Sequence, residues 1–316
     1  MKKIPIIMDC DPGHDDAIAL VLAFASEKLD VKAVTVTGGN QTLAKTLNNA
    51  KKVLSYIGKR PPLAAGADKP MFRELEVAEA VHGESGLDGP ILPETDYKEE
   101  RTFPGGERLP AVDLMRRIIL DSPEPITLVP TGPLTNLGIL FTAYPEVKKN
   151  IARISLMGGG IESGNWSAAA EFNIFVDPEA AEIVFTSGLP IIMSPLDVSH
   201  KALMMPGDLD ALRKQGGRVS VMVAELVEFF YQYHIAQGFA GAPLHDPCAV
   251  AALIAPELFK TAEYHISIET KGKYTTGMTF ADRRFWTNAK PNATVCLDID
   301  RPGFIRLIAE ACKTYD

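Results

Sequence analysis

Short runs of apolar, often β-branched residues alternate with stretches of helical periodicity from the N-terminus to residue 193. The apolar runs predict buried strands, and a recurrence of apolar residues every three to four positions predicts helices. The predicted strands cover residues 4–8, 31–37, 126–129, 154–157 and 191–193. The predicted helices cover residues 15–26, 43–56, 134–143 and 178–187.

This alternation predicts an α/β protein with an open, mostly parallel sheet and helices on both faces. No Pro/Ser-rich linker divides the chain, so we expect one domain over residues 1–316, with the polar, Gly-rich stretch 97–108 as a surface loop. Open α/β sheets bind ligands at the carboxyl ends of their strands. Functional residues are therefore expected directly after the predicted strands.

Composition narrows the range of partners. The net charge is −8 and no Lys/Arg-rich run is present, so polymeric nucleic acid is not an expected partner. The four cysteines are widely scattered, which favours free thiols over a zinc or redox site. The N-terminus lacks a signal-peptide pattern, and no apolar run approaches the length of a membrane span. These features predict a cytoplasmic protein without a membrane partner.

Four carboxylates, Asp9, Asp11, Asp15 and Asp16, follow the first predicted strand within eight residues. Carboxylates at close range repel one another and raise each other's pKa. Capping of the next helix accounts for one or two of them. A divalent cation accounts for all four, because Ca²⁺ and Mg²⁺ prefer oxygen ligands, and the Pro-Gly turn between them folds Asp11 and Asp16 toward one point.

An Asp-x-Asp pair after a first strand also occurs in haloacid-dehalogenase-like phosphatases, although their pair does not continue as Asp-Pro-Gly-x-Asp-Asp. This alternative predicts a metal-dependent phosphohydrolase that forms an acyl-phosphate on Asp9.

The full run Asp-x-Asp-Pro-Gly-x-Asp-Asp at residues 9–16 is similar to the signature of the nucleoside hydrolases of the inosine–uridine-preferring type. Further blocks resemble that family in the same order, and they span most of the chain from about residue 4 to 250. These blocks are residues 39–40, 82–89, 130–136, 156–160, 170–173 and 245–247.

The resemblance implies a single Ca²⁺ and hydrolysis of the N-glycosidic bond of a nucleoside. By matching positions, Asp11, Asp16 and Asp246 would bind the ion through carboxylates and Thr131 through its main-chain carbonyl. Asp15 matches the general base that takes a proton from the attacking water.

The same matching implies a set of substrate contacts. Met157 would pack beneath the sugar, and the ribose hydroxyls would be held by Asn40, Asn165, Glu171 and Asn173. The departing base needs a proton or a hydrogen bond, for which His245 is the first candidate and His82 the second.

Several residues admit a structural interpretation. Asp177 precedes a proline in the manner of a helix cap and is given no catalytic role. Asp246 has the same local pattern, so capping competes there with metal binding. His200, His234 and His265 are expected to be surface or structural residues. The aromatic segment 229–234 is either a mobile cover over the base or an amphipathic helix that packs on the core.

His82, the block at 245–247 and the loop bearing Asn165 and Trp166 resemble the branch of the family that prefers pyrimidine nucleosides. Family resemblance also implies a homo-oligomer, a tetramer or a dimer. A catalytically silent nucleoside- or sugar-binding module remains a further alternative.

Overall fold

The computed structural model describes residues 2–99, 109–284, 286 and 288–315 of the chain. Its strands are β1 Ile4–Cys10, β2 Leu29–Val36, β3 Leu63–Ala65, β4 Ile126–Pro130, β5 Ile151–Met157, β6 Ile191–Ser194, β7 Leu203–Met204, β8 Ala242–Pro243, β9 Phe259–Ile268, β10 Thr279–Asp282 and β11 Ala293–Ile299. Its α-helices are α1 His14–Ala25, α2 Leu43–Tyr56, α3 Glu79–His82, α4 Ala111–Asp121, α5 Thr135–Ala143, α6 Phe172–Val176, α7 Pro178–Phe185, α8 Leu196–Ser199, α9 Pro206–Gln215, α10 Arg218–Ala236, α11 Pro247–Ile254 and α12 Arg301–Lys313. Single 3₁₀ turns cover Pro145–Asn150 and Pro256–Leu258.

Nine strands form one sheet in the order β10-β9-β11-β6-β5-β4-β1-β2-β3. The pairs from β11 through β3 are parallel, whereas β9 runs antiparallel to both β11 and β10. The predicted mostly parallel sheet is therefore confirmed, with an antiparallel hairpin added at one edge. β7 and β8 form a separate two-stranded ribbon.

Two large apolar clusters cover the two faces of the sheet. One cluster is built from α1, α10, α11 and α12, and the other from α4, α5 and α7. The central strand β1 is buried on both faces, which explains its continuous apolar run from Ile6 to Met8. The helices on both faces that the sequence predicts are present.

The predicted helix over 43–56 is confirmed at both ends, and the other predicted elements agree to within three residues. The segment 229–234 lies inside α10, so its helical interpretation is confirmed. In the stretch predicted to be a surface loop, Tyr97 and Glu99 are buried, and Glu99 pairs with Lys51 at 2.8 Å. Residues 100–108 of that stretch lie outside the described residues.

Candidate active site

A cavity of about 290 Å³ opens beyond the carboxyl ends of β1, β2, β4 and β5. This is the edge at which ligand sites form in open α/β sheets, and its volume is close to the lower end of the roughly 300–1,000 Å³ of small-molecule sites. Ten of the twelve residues predicted for the site line it, namely Asp15, Asn40, His82, Thr131, Met157, Asn165, Glu171, Asn173, His245 and Asp246. The other two, Asp11 and Asp16, are fully buried next to this wall.

The carboxylates of Asp15, Asp16 and Asp246 converge beside the cavity, which Asp15 and Asp246 line. Single oxygens of the three side chains lie within 4.8 Å of one another. Asp15 and Asp16 come from the first turn of α1, which begins four residues after β1 ends, and Asp246 immediately precedes α11. The structure thus unites residues that are separated by 230 positions in the sequence.

Asp16 is held by four donors, which explains why it does not reach the cavity. Its Oδ1 accepts from Thr131 Oγ1 at 2.8 Å and from the Asp11 amide at 3.3 Å. Its Oδ2 accepts from the Gly13 amide at 3.1 Å and from Asn40 Nδ2 at 3.0 Å. The bond to Gly13 satisfies a free amide at the start of α1, so Asp16 also has the capping role that its position allows.

Asp11 lies in a cradle that only glycines can form. Its Oδ2 accepts from the Asn40 amide at 2.7 Å, whereas Oδ1 is buried without any hydrogen-bond partner. A Cβ atom on Gly39 would lie 2.1 Å from Oδ2, and one on Gly132 would lie 2.5 Å from Oδ1. An unpartnered buried carboxylate oxygen is costly, and a bound cation is one way to satisfy it.

Electrostatics around the clustered carboxylates favour a cation. Burial, with the neighbouring Asp16 charge, raises the pKa of Asp15 to about 7. Burial and neighbouring carboxylates also raise the pKa values of Asp11 and Asp246 well above the usual range. Among the described residues, no Lys or Arg lines the cavity to offset these charges. An all-oxygen donor set of this kind fits a hard divalent ion.

The Thr131 carbonyl and Asn173 are joined next to the carboxylates. Asn173 Nδ2 donates to that carbonyl at 2.7 Å and lies 3.4 Å from Met157 Sδ. Since a carbonyl oxygen has two lone pairs, Thr131 keeps one for a further partner. The predicted sugar contacts Asn173 and Met157 are thereby placed directly beside the predicted metal ligand.

Glu171 and Asn165 organise the loop that forms another wall. Glu171 caps α6 and accepts from the amides of Asn173 at 2.9 Å, Ile174 at 3.2 Å and Gly159 at 2.9 Å. Asn165 Oδ1 accepts from the Phe172 amide at 2.9 Å. Both side chains therefore have structural partners in addition to the position on the cavity wall that the sequence predicts.

Histidines and aromatic rings line further parts of the cavity wall. His245 Nδ1 lies 2.8 Å from Ser199 Oγ, and burial lowers the pKa of His245 and of His82 well below the usual value. His200 and His234 also line the cavity. His234 is 7% exposed and its Nδ1 lies 2.9 Å from the Phe230 carbonyl oxygen, which fits the structural alternative of the prediction for this residue.

The structure distinguishes the aspartates for which the sequence left a capping role or another chemistry open. Asp177 accepts from the Ala180 amide at 3.0 Å and caps α7, as predicted. Asp246 makes no side-chain capping bond to α11. Asp9 is 1% exposed, is bonded to Thr35 at 2.6 Å and Asn136 at 2.8 Å, and does not line the cavity. Its carboxylate is therefore not placed to attack a phosphate ester.

Comparison with known proteins bears on this site. A sequence model of the inosine-uridine preferring nucleoside hydrolases matches residues 6–306. The chain is 53% identical over 315 residues to a protein named pyrimidine-specific ribonucleoside hydrolase RihA from Citrobacter koseri, with 99% of each chain covered. The chain belongs to the inosine-uridine preferring nucleoside hydrolase family.

Further relatives of the nucleoside hydrolase family agree with this assignment. A protein of the same name from Salmonella paratyphi C is 54% identical over 316 residues, with 99% of each chain covered. The fold matches a purine-preferring ribonucleoside hydrolase from Gardnerella vaginalis with a TM-score of 0.89 and 28% identity over 98% of both chains. The predicted family, fold class and enzymatic nature are confirmed. Within the described part of the chain, none of the helices has the length and apolar character of a transmembrane segment.

Proposed function

We propose that this nucleoside hydrolase cleaves the N-glycosidic bond of pyrimidine ribonucleosides, uridine and cytidine, and releases ribose and the free base. The observation that carries the proposal is one cavity that is lined both by carboxylates able to hold a cation and by buried histidines with aromatic rings. The relatives that are 53–54% identical bear a pyrimidine-specific name, which supports this base preference.

Asp11, Asp16, Asp246 and the Thr131 carbonyl are the proposed ligands of one Ca²⁺. The unpartnered Oδ1 of Asp11 and the free lone pair of the Thr131 carbonyl support this set. When bound, the ion would acidify and orient a water molecule and neutralise the clustered carboxylates. All other contributions to catalysis would come from the protein's own side chains.

Asp15 is the proposed general base. Its carboxylate lines the cavity, whereas the carboxylates of Asp11 and Asp16 do not. A base needs hydrogen-bond reach to the water it deprotonates, and Asp15 is the member of the α1 pair with that access. It would take the proton from the water that attacks the anomeric carbon.

The ribose would be held by Asn40, Asn165, Glu171 and Asn173, with Met157 beneath the ring. Cleavage of a glycosidic bond develops positive charge on the sugar ring. The carboxylate and amide oxygens along this wall would stabilise that charge. Fixing the sugar in place also contributes to the rate, because the reacting carbon is then positioned for attack.

The base would lie against the histidines of the cavity wall, among which His245 is the proposed donor to the departing base. If Nδ1 accepts a hydrogen bond from the Ser199 hydroxyl, the neutral His245 ring carries its proton on Nε2. That N–H can then donate a hydrogen bond to the base. Burial keeps the imidazole neutral, so donation from a neutral ring is the expected form of assistance.

The deciding experiment incubates the purified protein with uridine, cytidine, inosine and a sugar phosphate, with and without a calcium chelator. We expect free reducing ribose from the pyrimidine nucleosides and its loss on chelation, with recovery after Ca²⁺ is restored. Release of phosphate from the ester would favour the phosphohydrolase. Nucleoside binding without any ribose release would identify a silent binding module.

A further inference from the structure

Two histidine rings next to the cavity lie nitrogen to nitrogen. His14, the first residue of α1, places Nδ1 3.0 Å from Nδ1 of His82. The other nitrogen of His14, Nε2, lies 2.7 Å from the main-chain carbonyl oxygen of Asp88. The rings form a continuous line from that carbonyl to the cavity, which His82 lines.

The partners fix where the protons lie. A carbonyl oxygen only accepts, so Nε2 of His14 carries a proton and donates to Asp88. A neutral imidazole has only one N–H, which leaves Nδ1 of His14 as an acceptor. The 3.0 Å contact between the two Nδ1 atoms then requires the proton of His82 to lie on its own Nδ1.

The surroundings of His14 favour its neutral form. The side chain is fully buried and stacks on Phe229, with ring centroids 5.1 Å apart and an angle of 1° between the planes. None of its hydrogen bonds goes to a carboxylate, since that of Asp88 accepts from the Glu84 and Ser85 amides. Burial of this kind disfavours the charged ring and lowers the pKa of His14 to about 4, although the Asp88 carboxylate acts in the opposite direction. The one competing contact, from the His14 amide to Nδ1 of His82, is longer at 3.4 Å.

The remaining nitrogen of His82 faces open space. Its Nε2 makes no hydrogen bond to any described residue, and it is not among the enclosed, unpartnered polar atoms. The Nδ1 edge is fixed against the start of α1, where a Cβ on Gly13 would lie 2.5 Å from that atom. Since His82 lines the cavity, Nε2 is left available to a ligand in that space.

We propose that His14 is a positioning residue that holds His82 in the Nδ1–H tautomer, so that Nε2 of His82 accepts a hydrogen bond from an N–H group of the base. This inference rests on the proposed function for its substrate. It also changes the role predicted for His82, because this tautomer has no proton on Nε2 to give to the departing base. Uracil and cytosine both carry suitable donors, the ring N3–H of uracil and the exocyclic amine of cytosine. His245 remains the proposed hydrogen-bond donor to the departing base, and His82 would contribute to the selection of the base.

The tautomer is measured directly on the full-length protein with ¹⁵N-labelled histidine rings. The ring-nitrogen shifts of His82 are assigned from its own substitution among the six histidines. We expect a protonated Nδ1 and an unprotonated Nε2 in the unmodified protein. His14→Phe, which keeps a stacked ring without a nitrogen, should release His82 to the Nε2–H form. His14→Asn, whose side-chain oxygen can replace Nδ1 as the acceptor, should retain Nδ1–H.

A kinetic comparison tests the selection. Methylation at N3 of uridine removes the donor, so kcat/KM should fall by roughly tenfold, the effect of one hydrogen bond. Methylation at C5 serves as the control, since it adds the same bulk and keeps N3–H. The same comparison of kcat/KM between N4,N4-dimethylcytidine and cytidine tests the exocyclic amine, because dimethylation removes both of its N–H groups. In His14→Phe the discrimination against the N-methylated substrates should shrink by the same factor, and in His14→Asn it should persist.

A proton on Nε2 of His82 in the unmodified protein would overturn the proposal. So would an unchanged tautomer or unchanged discrimination in His14→Phe. The spectrum of the unmodified protein decides the tautomer even if that variant fails to fold. If no nucleoside is cleaved while His82 shows Nδ1–H, the proposed function fails and the tautomer assignment stands.

Discussion

Asp11 and Asp15 are four residues apart, yet their surroundings suit them to different tasks. Asp11 is fully buried between Gly39 and Gly132 and has one unpartnered oxygen. Asp15 lines the cavity and has a pKa raised to about 7, chiefly by burial. An immobilised carboxylate suits ion binding, and an accessible one with a raised proton affinity suits proton transfer.

Asp15→Asn tests this division at the level of single residues. The substitution keeps shape and polarity but removes the base, so we expect kcat for uridine to fall by roughly 10²–10⁴-fold, the range of general base catalysis. The melting temperature should stay close to that of the unmodified protein, and calcium binding should weaken less than in Asp11→Asn, because the variant loses a neighbouring charge and not a proposed ligand. Stopped assays of reducing sugar and calorimetry measure the two effects.

Asp11→Asn is the matched comparison. It should mainly weaken calcium binding, so activity should recover as the calcium concentration is raised. If Asp15→Asn retains activity while Asp11→Asn is inactive at saturating calcium, the base is Asp11 and the role proposed for Asp15 is wrong.

Single residues also show where a local sequence pattern does not predict the role of a side chain. Asp177 and Asp246 both precede a proline at a helix start, but only Asp177 caps its helix. The difference lies in spatial neighbours, because Asp246 meets Asp15 and Asp16 across 230 residues of sequence. His14 was not predicted, since its proposed role depends on His82. The position of His234 on the cavity wall was not predicted either, since it depends on how helix α10 packs.

At the level of elements, the loops after β2 and β4 approach Asp11 so closely that side chains are excluded. Gly39 follows β2 and Gly132 follows β4, and both face the same carboxylate. These glycines adopt backbone conformations that other residues can share, because neither has a positive φ. These two positions therefore require glycine because a side chain would not fit, and not because the backbone adopts an unusual conformation.

Gly39→Ala tests that spatial requirement. The added methyl group would lie 2.1 Å from Asp11 Oδ2 and 2.7 Å from Pro133 Cδ, so the carboxylate or the loop must move. We expect a loss of roughly 1–3 kcal/mol of stability, as for other overpacked sites, together with weakened calcium binding. Chemical denaturation and calcium titration measure both.

Gly207→Ala provides the control. Gly207 lies in the first turn of α9, where an added methyl group would have no neighbour within 4 Å among the described residues, and alanine is the better helix former by roughly 0.5–1 kcal/mol. This variant should be as stable as the unmodified protein or more so, with unchanged activity. An equal loss in both variants would show that the position of Asp11 does not depend on Gly39.

Five strands and four helices through β6 could be predicted because each carries its own periodicity, whereas β3, α3, α4 and α6 were not predicted. The antiparallel hairpin of β9 and β10 at the sheet edge could not, because strand direction is set by pairing with β11 and not by local pattern. β9 is partly exposed and mixed in polarity, which gives a weak signal for a strand. The site was predictable to the extent that its residues follow parallel strands.

At the scale of the whole molecule, the chain carries 40 acidic and 32 Lys or Arg residues. The carboxylates at the site add local repulsion to this excess without any Lys or Arg among the described lining residues. A bound cation therefore stabilises the folded state as a whole as well as the site. The homo-oligomer and the cytoplasmic location remain predictions.

Stabilisation by calcium should depend on pH, and the sign follows from the raised carboxylate pKa values. Without the ion, Asp15 titrates at about 7 and Asp11 and Asp246 well above their usual range, so at acid pH these groups hold protons that calcium must displace. The calcium-induced rise in melting temperature should accordingly be large at pH 8 and small at pH 5.5. Scanning calorimetry with and without calcium at each pH measures it.

At a fixed pH, the difference between the melting temperatures with and without calcium does not contain the effect of the buried histidines. Buried histidines with lowered pKa values destabilise the fold as pH falls below about 6.5, with or without calcium; they are His14, His82, His200, His234 and His245. Only proton–calcium competition at the carboxylates then remains. Asp246→Asn should abolish most of the rise at pH 8, because it removes one proposed ligand. An equal rise at both pH values would mean that calcium binds elsewhere, at groups already ionised at pH 5.5, and the proposed ligands Asp11, Asp16, Asp246 and the Thr131 carbonyl would not form its site.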